Sequence, residues 1–139
     1  MDRRKFLKSS CALCGVAIAG SALIDSCKKN KAPAFVSFTL DLTNPANNAL
    51  NTVGGSVYSN NVIVVRIGSP LNVSSFIALS QACTHQGCTV SYDNTNSNFV
   101  CPCHHGVFDK SGNVISGPPP SPLTQYKISL NGNILAITS

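Results

Sequence analysis

The chain has 139 residues, with seven cysteines, no glutamate and no tryptophan, and its formal net charge is +5. This length suits one domain, and the low charged fraction of 11% argues against a helical bundle. Seven of the ten Lys and Arg residues precede position 32, and from there on three basic side chains balance three acidic ones. Because no basic surface is left to neutralise phosphates, we expect no nucleic-acid partner.

Residues 1–27 are typical of an export signal. A basic head, Arg3-Arg4-Lys5, precedes a weakly apolar run over residues 11–24. As a helix this run would rise only about 21 Å, which is short of the ~30 Å hydrocarbon core. We therefore predict a signal sequence, with an uncleaved membrane anchor as the alternative. The paired arginines resemble the twin-arginine signal, which exports proteins that are already folded.

The signal ends in a sequence that resembles a bacterial lipoprotein cleavage site, with Cys27 as the residue that would carry the lipid. Asp25 is unusual in that pattern, and the alternative is plain cleavage nearby that leaves Cys27 as a free thiol. Residues 28–33 read as a short basic tether. Cys11 and Cys14 form a C-x-x-C pair, but they lie inside the apolar run and do not indicate a redox site.

Residues 34–139 have the pattern of an all-β, antiparallel domain. Apolar side chains alternate, or β-branched residues cluster, in several short runs bounded by Gly, Pro and Asn. The predicted strands are 35–42, 62–67, 76–79, 125–130 and 133–138. The last two flank Asn131-Gly132, which predicts a two-residue hairpin turn with positive φ at both positions. No run is long and amphipathic enough to predict a helix.

Two Cys/His boxes lie between these strands. The first is C-T-H-Q-G-C at residues 83–88, and the second is C-P-C-H-H-G-V-F-D at residues 101–109. Two Cys and two His are sufficient for a tetrahedral zinc site or for a [2Fe–2S] cluster with His on one iron. Four cysteines in an exported protein are also sufficient for two disulfides. The mixed Cys–His spacings differ from the C-x₂₋₄-C and H-x₃₋₅-H pairs of most small zinc modules.

The boxes resemble those of the Rieske iron–sulfur proteins, whose pattern is C-x-H-x-G-C followed by C-x-C-H. The resemblance implies an antiparallel β-sheet sandwich with two cluster-binding loops at one tip and one [2Fe–2S] cluster per subunit. Its ligands are matched here by Cys83, His85, Cys101 and His104. Its disulfide is matched by Cys88 and Cys103, which would tie the two loops together.

Further positions follow from the same resemblance. Residues 116–122, here called the proline segment, match a loop that shields the cluster, which puts Gly117, Pro118 and Pro119 beside it. High-potential respiratory members have Ser and Tyr where this chain has Gly106 and Phe108. Neither side chain here donates a hydrogen bond to sulfur, which predicts a lower potential. His105 occupies a slot that is usually Gly and is interpreted as a non-ligand, because four ligands complete the site.

The resemblance implies one-electron transfer, and the predicted signal and tether indicate an exported, membrane-associated protein. We expect the iron–sulfur subunit of a quinol-oxidising cytochrome bc-like complex at the periplasmic face of the cytoplasmic membrane. Its electron donor would be membrane quinol or a larger oxidoreductase subunit, and its acceptor a cytochrome c-type protein. One alternative is the small electron-transfer subunit of an arsenite-oxidase-like enzyme, or a stand-alone carrier. An alternative of another class is a zinc-stabilised binding module.

Overall fold

The computed structural model describes residues 35–139, so the predicted signal and the whole of the predicted tether lie outside the described part of the chain. Within it no helix is long and apolar enough to cross a membrane. The described residues contain ten strands and two short 3₁₀ helices, Pro45–Asn51 and Val73–Ser75. The strands are β1 Ser37–Asp41, β2 Ser56–Ser59, β3 Val62–Arg66, β4 Phe76–Ser80, β5 Ser91–Asp93, β6 Asn98–Cys101, β7 Gly106–Phe108, β8 Val114–Ser116, β9 Lys127–Asn131 and β10 Ile134–Thr138.

The strands form three antiparallel sheets, which confirms the predicted all-β class. The sheet orders are β1-β10-β9, β2-β3-β4 and β5-β6-β7-β8. Five of the strands correspond to the predicted runs, namely β1, β3, β4, β9 and β10. The whole of the sheet β5-β6-β7-β8, whose strands have only three or four residues, was not predicted. Segments this short show too little periodicity to be recognised.

The sheet β2-β3-β4 separates two hydrophobic cores. Val62 and Val64 of β3 pack into one core, while Ile63 and Val65 pack into the other. Successive side chains of a strand point to opposite faces, so a strand buried on both faces has a continuous run of apolar residues. The first core lies against the sheet β1-β10-β9, and the second includes buried residues of β6 and β7. The second core therefore supports the loops that carry the Cys/His boxes.

The last hairpin turns one residue later than predicted. Asn131 pairs with Ile134, so the two central residues are Gly132 and Asn133. Of these, Gly132 alone has a positive φ, 58°. The prediction of Asn131-Gly132 with positive φ at both positions was therefore wrong. A two-residue turn with glycine first matches the strand twist with one positive φ, as in type II′ turns.

Candidate metal centre

The first box forms a tight loop between β4 and β5. The backbone N–H of Cys83 donates to the carbonyl of Cys88 (2.8 Å), and an isolated bridge pairs Ala82 with Thr89. These contacts close the loop at its base. They place Cys83 in the interior, 1% exposed, while His85 lies further out and is only partly buried.

The second box is the turn between β6 and β7. Cys101, the last residue of β6, pairs with Gly106, the first residue of β7. Cys101 is therefore held at the base of the turn, 2% exposed, whereas His104 and His105 are exposed. His105 has a φ of 57°, a left-handed conformation that is uncommon outside glycine. Glycine adopts this conformation readily, which accords with the Gly that the resemblance expects in this slot.

The two boxes bring the thiols of Cys83 and Cys101 together. Both cysteines are buried, and neither is part of a disulfide. Burial raises the pKa of the Cys83 thiol, the backbone N–H of His85 lowers it by hydrogen bonding, and the neighbouring Cys101 thiol raises it. Two adjacent thiols in an apolar core are poorly hydrated when ionised. A cation between them would stabilise both as thiolates.

The rings of His85 and His104 contact each other. Their centroids are 4.7 Å apart, and the planes are nearly perpendicular, at 86°. The Nδ1 atom of His85 is buried and has no hydrogen-bond partner. A buried nitrogen without a partner is costly unless something coordinates it. Two buried thiols, a pair of imidazoles in contact and an unpartnered ring nitrogen therefore have the donor chemistry of a metal group with Cys₂His₂ ligation.

The disulfide links Cys88 and Cys103, with Cα atoms 6.5 Å apart. This is the pairing that the resemblance implies, and it joins the two loops across the site. The Sγ atoms of Cys88, Cys101 and Cys103 all lie within 4.8 Å of one another. Because two of these sulfurs are bonded to each other, this trio does not provide three thiolates for a metal. The Cys₂His₂ set has the better chemistry for a cluster.

The proline segment packs directly on the second box. A Cβ placed on Gly106 would lie 2.5 Å from Cγ of Pro119, and one on Gly117 would lie 2.8 Å from Cα of Gly106. Gly117 also has a φ of 92°. The second box and the proline segment approach each other this closely only because neither glycine has a side chain. Of the prolines expected beside the cluster, Pro119 is buried here and Pro118 is exposed.

A hydrogen bond that the sequence did not predict links the first box to the proline segment. The hydroxyl of Thr84 donates to the carbonyl of Ser121 at 2.6 Å, across 37 positions. Thr84 lies between two box residues, but nothing in its neighbourhood identifies its acceptor. Phe108, in contrast, is fully buried in the second core together with Cys83 and Cys101. Neither Gly106 nor Phe108 offers a side-chain donor to this region.

Comparison with known proteins identifies relatives of this chain. The sequence model of the Rieske [2Fe-2S] domain matches residues 41–127. The cytochrome b6-f complex iron-sulfur subunit of Chlorobaculum tepidum is 33% identical over 99% of this chain and 75% of its own length. The menaquinol:cytochrome c reductase iron-sulfur subunit of Bacillus subtilis is 38% identical, over 46% of this chain and 41% of that protein. The chain thus spans less than half of the second relative.

Solved structures agree with the sequence relatives. The cyanobacterial plasma membrane Rieske protein PetC3 from Synechocystis PCC 6803 superposes with a TM-score of 0.52 and 32% identity. The match covers 61% of this chain and 85% of that one. A hyperthermophilic respiratory Complex III chain gives a TM-score of 0.53 and 28% identity, covering 70% and 71%. The chain belongs to the Rieske family, whose domain binds a [2Fe–2S] cluster.

Proposed function

We propose that this chain is the iron–sulfur subunit of a quinol-oxidising, cytochrome bc-like complex. Two observations carry the proposal: the two boxes supply two buried free thiols, Cys83 and Cys101, and the rings of their histidines, His85 and His104, contact each other. When bound, the cluster supplies one-electron transfer at a potential between about −150 and +300 mV. The names of the two sequence relatives, both subunits of such complexes, support this assignment.

The residues divide the work of such a site. Cys83 and Cys101 would bind one iron from the interior, where the second core excludes water. His85 and His104 would bind the other iron from the outer side, and the exposed ring of His104 is the natural contact for quinol or for a cytochrome c-type acceptor. The proline segment, held by Thr84, would shield the cluster between these contacts.

We further propose that residues 1–27 direct export by the twin-arginine route, and that the domain works at the periplasmic face of the cytoplasmic membrane. A lipid on Cys27 and the tether at residues 28–33 would keep the domain at the membrane surface. Replacing Arg3 and Arg4 by lysine should stop export, and Cys27→Ala should abolish incorporation of labelled palmitate. Export of the lysine variant, or unchanged labelling of the alanine variant, would contradict the respective step.

The ligand set can be tested with two neighbouring histidines. The full chain should show the visible and EPR spectra of a reduced Rieske cluster. His104→Ala should abolish these spectra, whereas His105→Ala should retain them, because His105 is exposed and outside the ligand set. Zinc bound in place of iron, or loss of the cluster in both variants, would contradict the assignment.

The complex can be tested in membranes of the organism that encodes the chain. Deletion should abolish menaquinol-dependent reduction of cytochrome c, and the full chain should restore it, whereas His104→Ala should not. Undiminished quinol oxidation together with a loss of arsenite oxidation would favour the alternative subunit. This chain resembles the small subunit of arsenite oxidase in having a bulky residue, His105, in a slot that is usually Gly, and this resemblance favours the second candidate.

A further inference from the structure

The Cys101 thiol lies beside the disulfide as well as beside its partner ligand. Its Sγ is within 4.8 Å of the Sγ atoms of both Cys88 and Cys103, whereas Cys83 is not part of this group. Cys101 is buried and bonded to neither. A thiol held this close to a disulfide is positioned to attack it, since exchange proceeds through a thiolate and a disulfide sulfur.

We propose that, without its cluster, the chain undergoes intramolecular thiol–disulfide exchange at Cys101. The sulfur of Cys101 bonds to Cys88, the Cys88–Cys103 bond breaks, and Cys103 leaves as a thiolate that takes the proton lost by Cys101. One disulfide and one thiol are present before and after, so no oxidant or reductant is required.

The exposure of the two disulfide cysteines selects this direction. Cys103 is exposed, while Cys88 is half-buried. Water stabilises a departing thiolate, so Cys103 is the better leaving group and Cys88 the sulfur that is attacked. The two loops already approach each other, since the Cα atoms of Cys88 and Cys103 are 6.5 Å apart. The new bond therefore still links one loop to the other.

The exchange would prevent the cluster from binding again after it is lost, a consequence that rests on the proposed ligand role of Cys101. Once Cys101 is bonded to Cys88, it no longer offers a thiolate to iron. A bound cluster, in contrast, would hold the Cys101 sulfur and so preserve the native disulfide. Insertion of the cluster before the exchange takes place would thus protect both the ligand thiol and the native disulfide.

The test uses the full chain in three forms: wild type, Cys101→Ser and Cys83→Ser. Both variants lack one ligand thiol, but only Cys101→Ser lacks the attacking sulfur. Cluster-free proteins are made anaerobically, with an iron chelator where iron is present, and are held at pH 8. Free thiols are alkylated with iodoacetamide at intervals. The disulfide bonds are then mapped by mass spectrometry without reduction. Circular dichroism on the same samples reports whether each form is folded.

We expect wild type and Cys83→Ser to accumulate the Cys88–Cys101 bond and alkylated Cys103, at least about tenfold faster than Cys101→Ser releases Cys103, given the advantage of a positioned intramolecular reactant. Three results would overturn the proposal: an unchanged Cys88–Cys103 bond, equal release of Cys103 in both variants, or a dominant Cys101–Cys103 product. The visible spectrum recorded before iron removal tests the proposed function, whereas mass spectrometry of the cluster-free protein tests the exchange. The failure of one proposal can therefore be distinguished from the failure of the other.

Discussion

A hydroxyl introduced near the cluster should raise its potential, but at residue 106 the structure permits this only with a second change. In Gly106→Ser the new Cβ would lie 2.5 Å from Cγ and 3.0 Å from Cδ of Pro119. Pro119 is buried, and its ring cannot rotate away, so the proline segment must move. Pro119→Ala removes both contacted atoms. Phe108→Tyr meets no such obstacle at its backbone and places a hydroxyl inside the second core.

The magnitudes separate the variants. Overpacking costs about 1–3 kcal/mol, so Gly106→Ser alone should lower the free energy of unfolding by about that amount. A hydrogen bond to cluster sulfur stabilises the more negative, reduced state. If it favours that state by ~1.4 kcal/mol, the potential rises by about 60 mV for one electron. We therefore expect the reduction potential to rise by about 60 mV in Phe108→Tyr and by a similar amount in Gly106→Ser combined with Pro119→Ala.

Protein-film voltammetry measures the potential, and urea denaturation measures stability. The matched control combines Gly106→Ala with Pro119→Ala, which adds the same Cβ without the hydroxyl. Pro119→Ala alone corrects for the loss of shielding. If the serine and alanine pairs have the same potential, and Phe108→Tyr that of wild type, hydrogen bonding to sulfur is not what lowers this potential. If Gly106→Ser alone is as stable as wild type, the Pro119 contact is not restrictive.

Three further predictions concern the scaffold. Thr84→Val should lower the free energy of unfolding by about 1 kcal/mol and speed the loss of iron to a chelator, because it removes the hydrogen bond to the proline segment. Thr84→Ser keeps the hydroxyl and should lose iron as slowly as wild type. Equal rates of iron loss in the two variants would contradict this prediction. Tyr126→Phe should leave stability in urea unchanged or raise it, because its buried hydroxyl has no partner. Tyr58→Phe should lower the free energy of unfolding by about 1 kcal/mol, because it loses the hydrogen bond to a backbone carbonyl. A larger loss of stability in Tyr126→Phe than in Tyr58→Phe would be evidence against the reasoning. Hydrogen bonding by the Asn113 side chain holds the pKa of Asp109 below its ordinary value. The stabilisation that the Asp109 carboxylate contributes is fully present above its pKa in the unfolded chain, near 4, and is lost as pH falls through its lower pKa in the folded chain. Asp109→Asn should therefore flatten the loss of stability below about pH 4 seen in acid titration by circular dichroism, and an unchanged acid limb would contradict it.

The two Cys/His boxes and the long strands could be read from the sequence because their signals are local. The first box spans only six positions, and β3 has a continuous β-branched run. Such patterns persist whatever the rest of the chain does. The predicted hairpin was found, but its register was one residue late, because pairing of Asn131 with Ile134 places glycine first in the turn.

Tertiary structure decided what depends on residues far apart in the chain. The strands β5 to β8 are too short to show periodicity and exist because they pair with one another over the second core. The contact of Pro119 with Gly106, and the hydrogen bond from Thr84 to Ser121, join segments with no shared local pattern. The position of the Cys101 sulfur beside the disulfide is of the same kind. Spacing can suggest which residues bind a metal, but only the folded chain determines which atoms lie within reach of one another.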